Sequence, residues 1–186
     1  MSTPAADPES VRRLNWGCGE HAEPGWINSD RKEGTGILAC DILGGLPLED
    51  ASVDYAVSIH ALPELRPDEL VPALEELRRV LRPGGVLRLA LPDLIAGVRA
   101  YLHGDRDYFL VPDEHALSLG GKLVTQLLWY GYTRSLFTAD FVEELLHKAG
   151  FDSVVHCGFS QTSSPFAEIV SLDNRVRESL FVEAVK

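Results

Sequence analysis

Cysteine is scarce in this 186-residue chain: Cys18, Cys40 and Cys157 are its three. An odd number, so widely spaced, excludes a disulfide framework and a CxxC metal site, and it points to a reduced, cytoplasmic protein. No apolar run approaches the roughly 18 residues that a membrane span needs. Positive charge is also in short supply, with 17 Lys and Arg against 28 Asp and Glu and a net charge of −11. Nucleic acid and anionic membranes repel such a surface, so neither is expected as a partner. The one dense basic group, Arg78, Arg79 and Arg82, shares a predicted helix with Glu75 and Glu76 and reads as a solvated face. Residues 1–11 have neither the basic nor the apolar stretch of a signal peptide and read as a frayed terminus. There is no internal repeat and no low-complexity tract.

What is present is a globular balance of 45% hydrophobic and 24% charged residues. The length suits one domain with a core that needs no metal or disulfide. Short apolar runs alternate with helical segments, the pattern of a largely parallel sheet covered by helices. Strands are expected at residues 12–16, 26–29, 37–40, 53–59 and 86–91. Residues 68–82 form a helix, with Leu70, Leu74, Leu77 and Leu81 on one face. Pro72 is tolerable only in the first turn, so the regular part starts near Glu69, and Arg82-Pro83-Gly84-Gly85 stops it. Asp93 can cap a helix that runs to about His103, and Thr138 can cap another that Gly150 ends. Residues 105–137 read as a helix plus loop. Residues 151–160 and 179–186 read as two final strands, paired as an antiparallel hairpin at the sheet edge.

The chemistry concentrates where the first strand ends. Leu14-Asn15-Trp16-Gly17-Cys18-Gly19 carries two glycines that let a ligand approach bare backbone, and Asp30 closes the second strand, where an acid can take both hydroxyls of a ribose. A lone GxG is weak, and its plain reading is an ordinary turn. The combination with Asp30, a third strand ending at Asp41 and the later PGG turn is much more specific. The dinucleotide fingerprint wants a third glycine and a full helix to hold the pyrophosphate. GCGEHA lacks that glycine, and only six residues separate Gly19 from Trp26, too few for a helical crossover. A phosphate-anchored cofactor, and with it a nicotinamide dehydrogenase, is disfavoured. An adenosyl cofactor without phosphates is not.

LNWGCGEHAEPGWINSD resembles the first motif of small bacterial class I S-adenosylmethionine (SAM)-dependent methyltransferases of the type 11 kind. The runs CDILGGLPLEDASVDYAVSIHAL, LEELRRVLRPGGVLRLALPDL, SLFTADFVEELLHKAGF and ESLFVEAVK are similar to that family too, so the resemblance covers nearly the whole chain from Leu14. It implies an α/β, Rossmann-like sandwich: a mostly parallel sheet of seven strands, or slightly fewer, with helices on both faces and a shortened first crossover. It implies SAM as cofactor, with Trp16, Gly17, Cys18 and Gly19 at its methionine part, Asp30 on the ribose, and Asp41 with the Ile42 amide on the adenine. Ser58, Ile59 and His60 would lie near the sulfonium and the acceptor. The chain departs from the family after His60: relatives show an HxxEH-like run, where this one has His60-Ala61-Leu62-Pro63-Glu64-Leu65.

Methyl transfer aligns acceptor, methyl and sulfur in a line, and it needs a base only when the nucleophile is protonated. His60 is the candidate base, against a reading in which it only contacts cofactor or caps its strand. Tyr132 and Arg134 are candidate acceptor contacts, with a structural ion pair as the other reading of Arg134. Trp129, Tyr130 and Tyr132 could stack on an acceptor or pack in a core or dimer face. His103 and His115 fall in the covering segment, His21 in the glycine turn, His147 on a solvent-facing helix surface and His156 in an edge strand. Asp93 is a helix cap or a site residue. Cys18 reads as a small packing residue. The expected activity is methylation of a small-molecule acceptor such as a sugar, glycan precursor or secondary metabolite. The competing reading is a SAM-fold module that binds without turnover. With little chain before the first strand, the cover over the cofactor must come from elsewhere, such as a second subunit of a homodimer.

Overall fold

The computed structural model describes residues 11–20 and 22–186. The expectations for residues 1–10 and for His21 lie outside the described residues. Seven strands form one sheet in the order β3-β2-β1-β4-β5-β7-β6. They are β1 (Arg13–Trp16), β2 (Ile27–Asp30), β3 (Ile37–Ala39), β4 (Val53–Ile59), β5 (Leu81–Pro92), β6 (Ser153–Cys157) and β7 (Ser179–Val185). The first five run parallel, and β7 is antiparallel to both β5 and β6. The chain order doubles back at β1, so the tips of β1 and β4 flank the switch point where ligands bind in doubly wound sheets.

Among the described residues four α-helices accompany the sheet: α1 (Leu70–Val80), α2 (Leu94–Leu102), α3 (Leu119–Leu128) and α4 (Ala139–Lys148). On one face, Leu70, Leu74 and Leu77 of α1 and Val142, Leu145 and Leu146 of α4 pack against Leu14, Ala56, Leu87 and Leu89 of the sheet in the main core. This is the apolar stripe that the spacing predicts. The opposite face carries a smaller core of Tyr55, Val57 and Val86, closed by Ile169 and Phe166 from the long β6–β7 connection, where a 3-10 helix (Ala167–Val170) lies. A third cluster, Ala100, Tyr108 and Phe109 with Leu119 and Leu123, joins α2 to α3 and forms the cap.

Two local expectations change. The strand expected at 86–91 begins earlier: β5 starts at Leu81, and Arg82-Pro83-Gly84-Gly85 is absorbed as a register shift between the pairs Val53–Leu81 and Tyr55–Val86. A β-carbon on Gly85 would lie 2.8 Å from the Arg82 carbonyl oxygen and 2.9 Å from that of Asp54, so only glycine lets the strand close this irregularity. Thr138 stands at the N-cap position of α4, but its hydroxyl meets the Asp140 carboxylate instead of a backbone N–H. Asp93 caps α2 as expected, accepting from Ile95 N (2.9 Å) and Ala96 N (3.1 Å). Among the described residues no helix is long and apolar enough to cross a membrane.

Candidate active site

Trp16 and Ser29 pair at the ends of β1 and β2, and the chain after Trp16 turns over that pair. Gly17 N and Cys18 N both donate to the Ser29 carbonyl, at 2.7 and 3.2 Å. Gly19 N donates to Asp30 Oδ2 at 2.8 Å, and Lys32 N to Oδ1 at 3.0 Å. The glycine turn and the acid that sequence spacing brings together are therefore in direct contact. Gly17 and Gly19 have φ of +73° and +63°, the left-handed region that glycine enters without penalty. A β-carbon on Gly19 would meet nothing within 4 Å, whereas one on Gly17 would lie 2.1 Å from Cβ of Ala61.

These residues line one end of a cavity of 480 Å³ that continues under the cap. Asp41 and Ile42 line the same end; Asp41 caps a 3-10 helix (Ile42–Gly44) by accepting from Leu43 N at 3.0 Å. Bare backbone at Gly17–Gly19, one carboxylate beside it at Asp30 and a second at Asp41 suit an adenosyl cofactor without phosphates. Trp16, Cys18 and Ile59 also line the cavity. Burial first, and the Asp30 charge second, raise the Cys18 thiol above its ordinary range, so it stays protonated and is no nucleophile.

Ser58 departs from its expected place. Strand alternation sends its side chain away from the cavity; it is fully buried, and its Oγ has no hydrogen-bond partner among the described residues. His60 does line the cavity, in a left-handed conformation (φ +55°), and its Nε2 shares a 2.7 Å hydrogen bond with Ser179 Oγ. Burial first, then the nearby Arg175 charge, lowers its pKa from 6.5 to about 3. An imidazole so reluctant to hold a proton is poorly suited to be a general base, which favours the reading in which it only contacts cofactor.

The acceptor expectations divide. Tyr132 and Trp129 line the cavity; Arg134 does not. Arg134 is exposed, its backbone N–H donates to Pro63 O at 2.8 Å, and it makes no ion pair among the described residues. Tyr130 is turned outward to His115 Nδ1 at 2.8 Å. Asp93 is both cap and cavity wall. His147 and His156 lie on the surface near Glu143, and His103 is exposed.

Sequence reasoning missed the wall formed by Leu172, Asn174, Arg175 and Glu178. Its anchor is Arg88 on β5, wholly buried, which binds Asp173 twice (2.9 and 2.6 Å), Glu183 (2.7 Å) and the carbonyls of Gln161 and Gly158. Asp173 and Glu183 reach on to Ser160 N and Ser163. The signal was an arginine inside the apolar run VLRLAL, since a charge in a buried strand demands partners. Tyr108 and Phe109 were also missed. The Tyr108 phenol is pushed up to about 12 by burial first, then by Asp93 and Glu178. At the mouth Arg31 meets Glu64 at 2.9 Å, both half-exposed. No group of three or more His, Cys, Asp or Glu side chains set to hold a metal occurs among the described residues.

The methyltransferase-domain model of the type 11 family matches residues 17–89, the segment that builds the cofactor end of the cavity. Among solved structures, the chain is similar to a SAM-dependent methyltransferase of Archaeoglobus fulgidus (TM-score 0.60, 13% identity, 95% of this chain and 86% of that one). It is also similar to one from Thermotoga maritima described as a possible histamine N-methyltransferase (0.58, 19%, 95% and 83%). A third is a phosphoethanolamine N-methyltransferase of Haemonchus contortus, solved with phosphomonomethylethanolamine and S-adenosylhomocysteine (0.51, 15%, 95% and 49%). No curated protein matches the chain.

Proposed function

We propose that the chain is a class I SAM-dependent methyltransferase and that it methylates a small-molecule acceptor, such as a sugar, glycan precursor or secondary metabolite, held under the α2–α3 cap. The observation that carries this is the contact of Gly19 N with Asp30 over a cavity that runs on to the cap. When bound, SAM supplies a methyl on a cationic sulfur, open to in-line displacement.

The chain's own residues would bind and orient. The Gly17–Gly19 backbone would lie along the methionine part, Asp30 would take the ribose hydroxyls, and Asp41 with the Ile42 amide would hold the adenine. Ile59 and His60, at the tip of β4, would separate cofactor from acceptor; His60 would act as a neutral hydrogen-bonding wall. Trp129 and Tyr132 would exclude water from the acceptor side.

Calorimetry with S-adenosylhomocysteine and with NAD tests the cofactor: the first should bind and the second should not. Absence of S-adenosylhomocysteine binding would sink the reading. We extend it to a protein of the reducing cytoplasm, which the three free cysteines favour. A homodimer is the further expectation, favoured by Leu102, Leu117 and Val124 left exposed on the cap; sedimentation at micromolar concentration reads it directly.

A further inference from the structure

The cavity is unusually one-signed. Among the described residues it is lined by six carboxylates (Glu23, Asp30, Asp41, Glu64, Asp93, Glu178) and only two guanidiniums (Arg31, Arg175). Each guanidinium is already committed to a carboxylate: Arg31 to Glu64 at 2.9 Å and Arg175 to Glu178 at 2.9 Å. No cation that lines it is left to meet a phosphate or carboxylate on an acceptor. Four carboxylates remain uncompensated. Glu23, Asp30 and Asp41 belong to the cofactor end; Asp93 stands at the other, next to Glu178, which Arg175 already pairs.

That second pair comes from elements far apart in sequence, the end of β5 and the start of β7. They are held together by the hydrogen bond from Asp93 N to Glu178 O (2.8 Å). Glu178 is 8% exposed; its Oε1 takes Arg175, and its Oε2 has no protein donor among the described residues. Asp93 uses Oδ1 for the helix cap and leaves Oδ2 unbonded. Neither free oxygen is among the buried side-chain atoms that lack a partner, so both stay open to the cavity, where a ligand donor can reach them. The surrounding wall is aromatic and aliphatic: Tyr108, Phe109, Trp129, Tyr132, Leu123 and Leu127. Carboxylate plus aromatic faces is the environment that stabilises an ammonium.

We propose, resting on the methyltransferase reading, that the acceptor is an amine attached to an apolar or aromatic body, with its nitrogen seated between Asp93 and Glu178. The same nitrogen then serves as nucleophile. The protonated amine loses one proton to solvent, a loss that the neighbouring sulfonium charge favours. Its lone pair forms the new N–C bond as the C–S bond breaks and sulfur keeps that electron pair. The methylated ammonium, the neutral thioether and the one released proton balance the exchange. A hydroxyl acceptor would need a base instead, and neither His60, which binds a proton only near pH 3, nor Tyr108, which holds its own to about pH 12, is suited to the part.

The test is binding to the protein saturated with S-adenosylhomocysteine, by calorimetry, of three probes of like size: 2-phenylethylamine, 2-phenylethanol and phenylacetate. The amine should bind at least about tenfold tighter than the alcohol, the worth of one charge-assisted hydrogen bond, and phenylacetate should not bind. Asp93→Asn keeps a good helix cap and should erase most of the amine's advantage. Glu178→Gln frees Arg175 and should let phenylacetate in. Equal binding of amine and alcohol, preference for phenylacetate, or no amine binding overturns the proposal. Failure of S-adenosylhomocysteine itself to bind overturns the methyltransferase reading instead.

Discussion

A β-carbon on Gly17 would lie 2.1 Å from Cβ of Ala61, so the turn after β1 and the start of the 3-10 helix after β4 (Leu62–Glu64) touch through an absence of side chain. This contact brings the two switch-point strand tips to the cofactor end of the cavity. It also explains why the position is intolerant on two counts: space, and a φ of +73°.

Gly17→Ala should therefore destabilise the fold by about 1–3 kcal/mol, from overpacking and left-handed strain together. Adding Ala61→Gly should return the part that comes from the clash and leave the part that comes from φ. Urea unfolding of the single and double variants reads both contributions. A single variant as stable as the parent would contradict the contact.

Asp30→Ala removes the acceptor of Gly19 N–H and the group assigned to the ribose. The affinity for S-adenosylhomocysteine should fall by about ten- to a hundredfold, the usual worth of hydrogen bonds to a charged group. Calorimetry decides it, and unchanged affinity would mean that the ribose lies elsewhere.

Arg88→Met leaves Asp173 and Glu183 enclosed without their cation, since both side chains are almost wholly buried. Stripping one partner from a buried pair costs about 3–5 kcal/mol. The urea midpoint should drop accordingly, and proteolysis should begin between residues 158 and 178, the segment that Arg88 holds.

His60 carries a pH signature. Its pKa in the folded protein, about 3, lies below the 6.5 of a free imidazole. Between those values the unfolded chain binds the proton and the folded one does not, so stability rises with pH. The contribution is complete above pH 6.5 and is lost as the medium is acidified towards pH 3. His60→Asn, which tolerates the left-handed φ, should show a shallower acid limb than the parent in urea midpoints taken across that window. Parallel limbs would mean that His60 titrates normally.

The cofactor half was legible because its signals are local. Glycines that need positive φ, β-branched runs such as Val53–Ile59 and an acid closing a strand announce themselves within a few residues. Asp93 was legible as a cap for the same reason. The cavity wall at Leu172–Glu178 was not, because its cause is remote: Asp173 is placed by an arginine 85 residues earlier in the chain. Ser58 was misplaced by a different route. The end of β4 was read as a block of three residues, while the strand's period of two turns Ser58 into the core and leaves Ile59 in the cavity. Arg134 looked like a ligand because it is a charge in an apolar segment, yet its backbone, through Pro63, is the part that makes a described contact.

The tether from Arg88 to Asp173 also constrains how such a protein can be re-engineered. Because Asp173 sits inside the stretch Leu172–Glu178 that borders the cavity, that stretch cannot be transplanted as a free-standing loop. A graft lacking an acid at position 173 would carry the right recognition groups without the peg that sets their height above the sheet. Libraries aimed at new acceptors should hold Arg88, Asp173 and Glu183 constant and vary only the residues between those pegs.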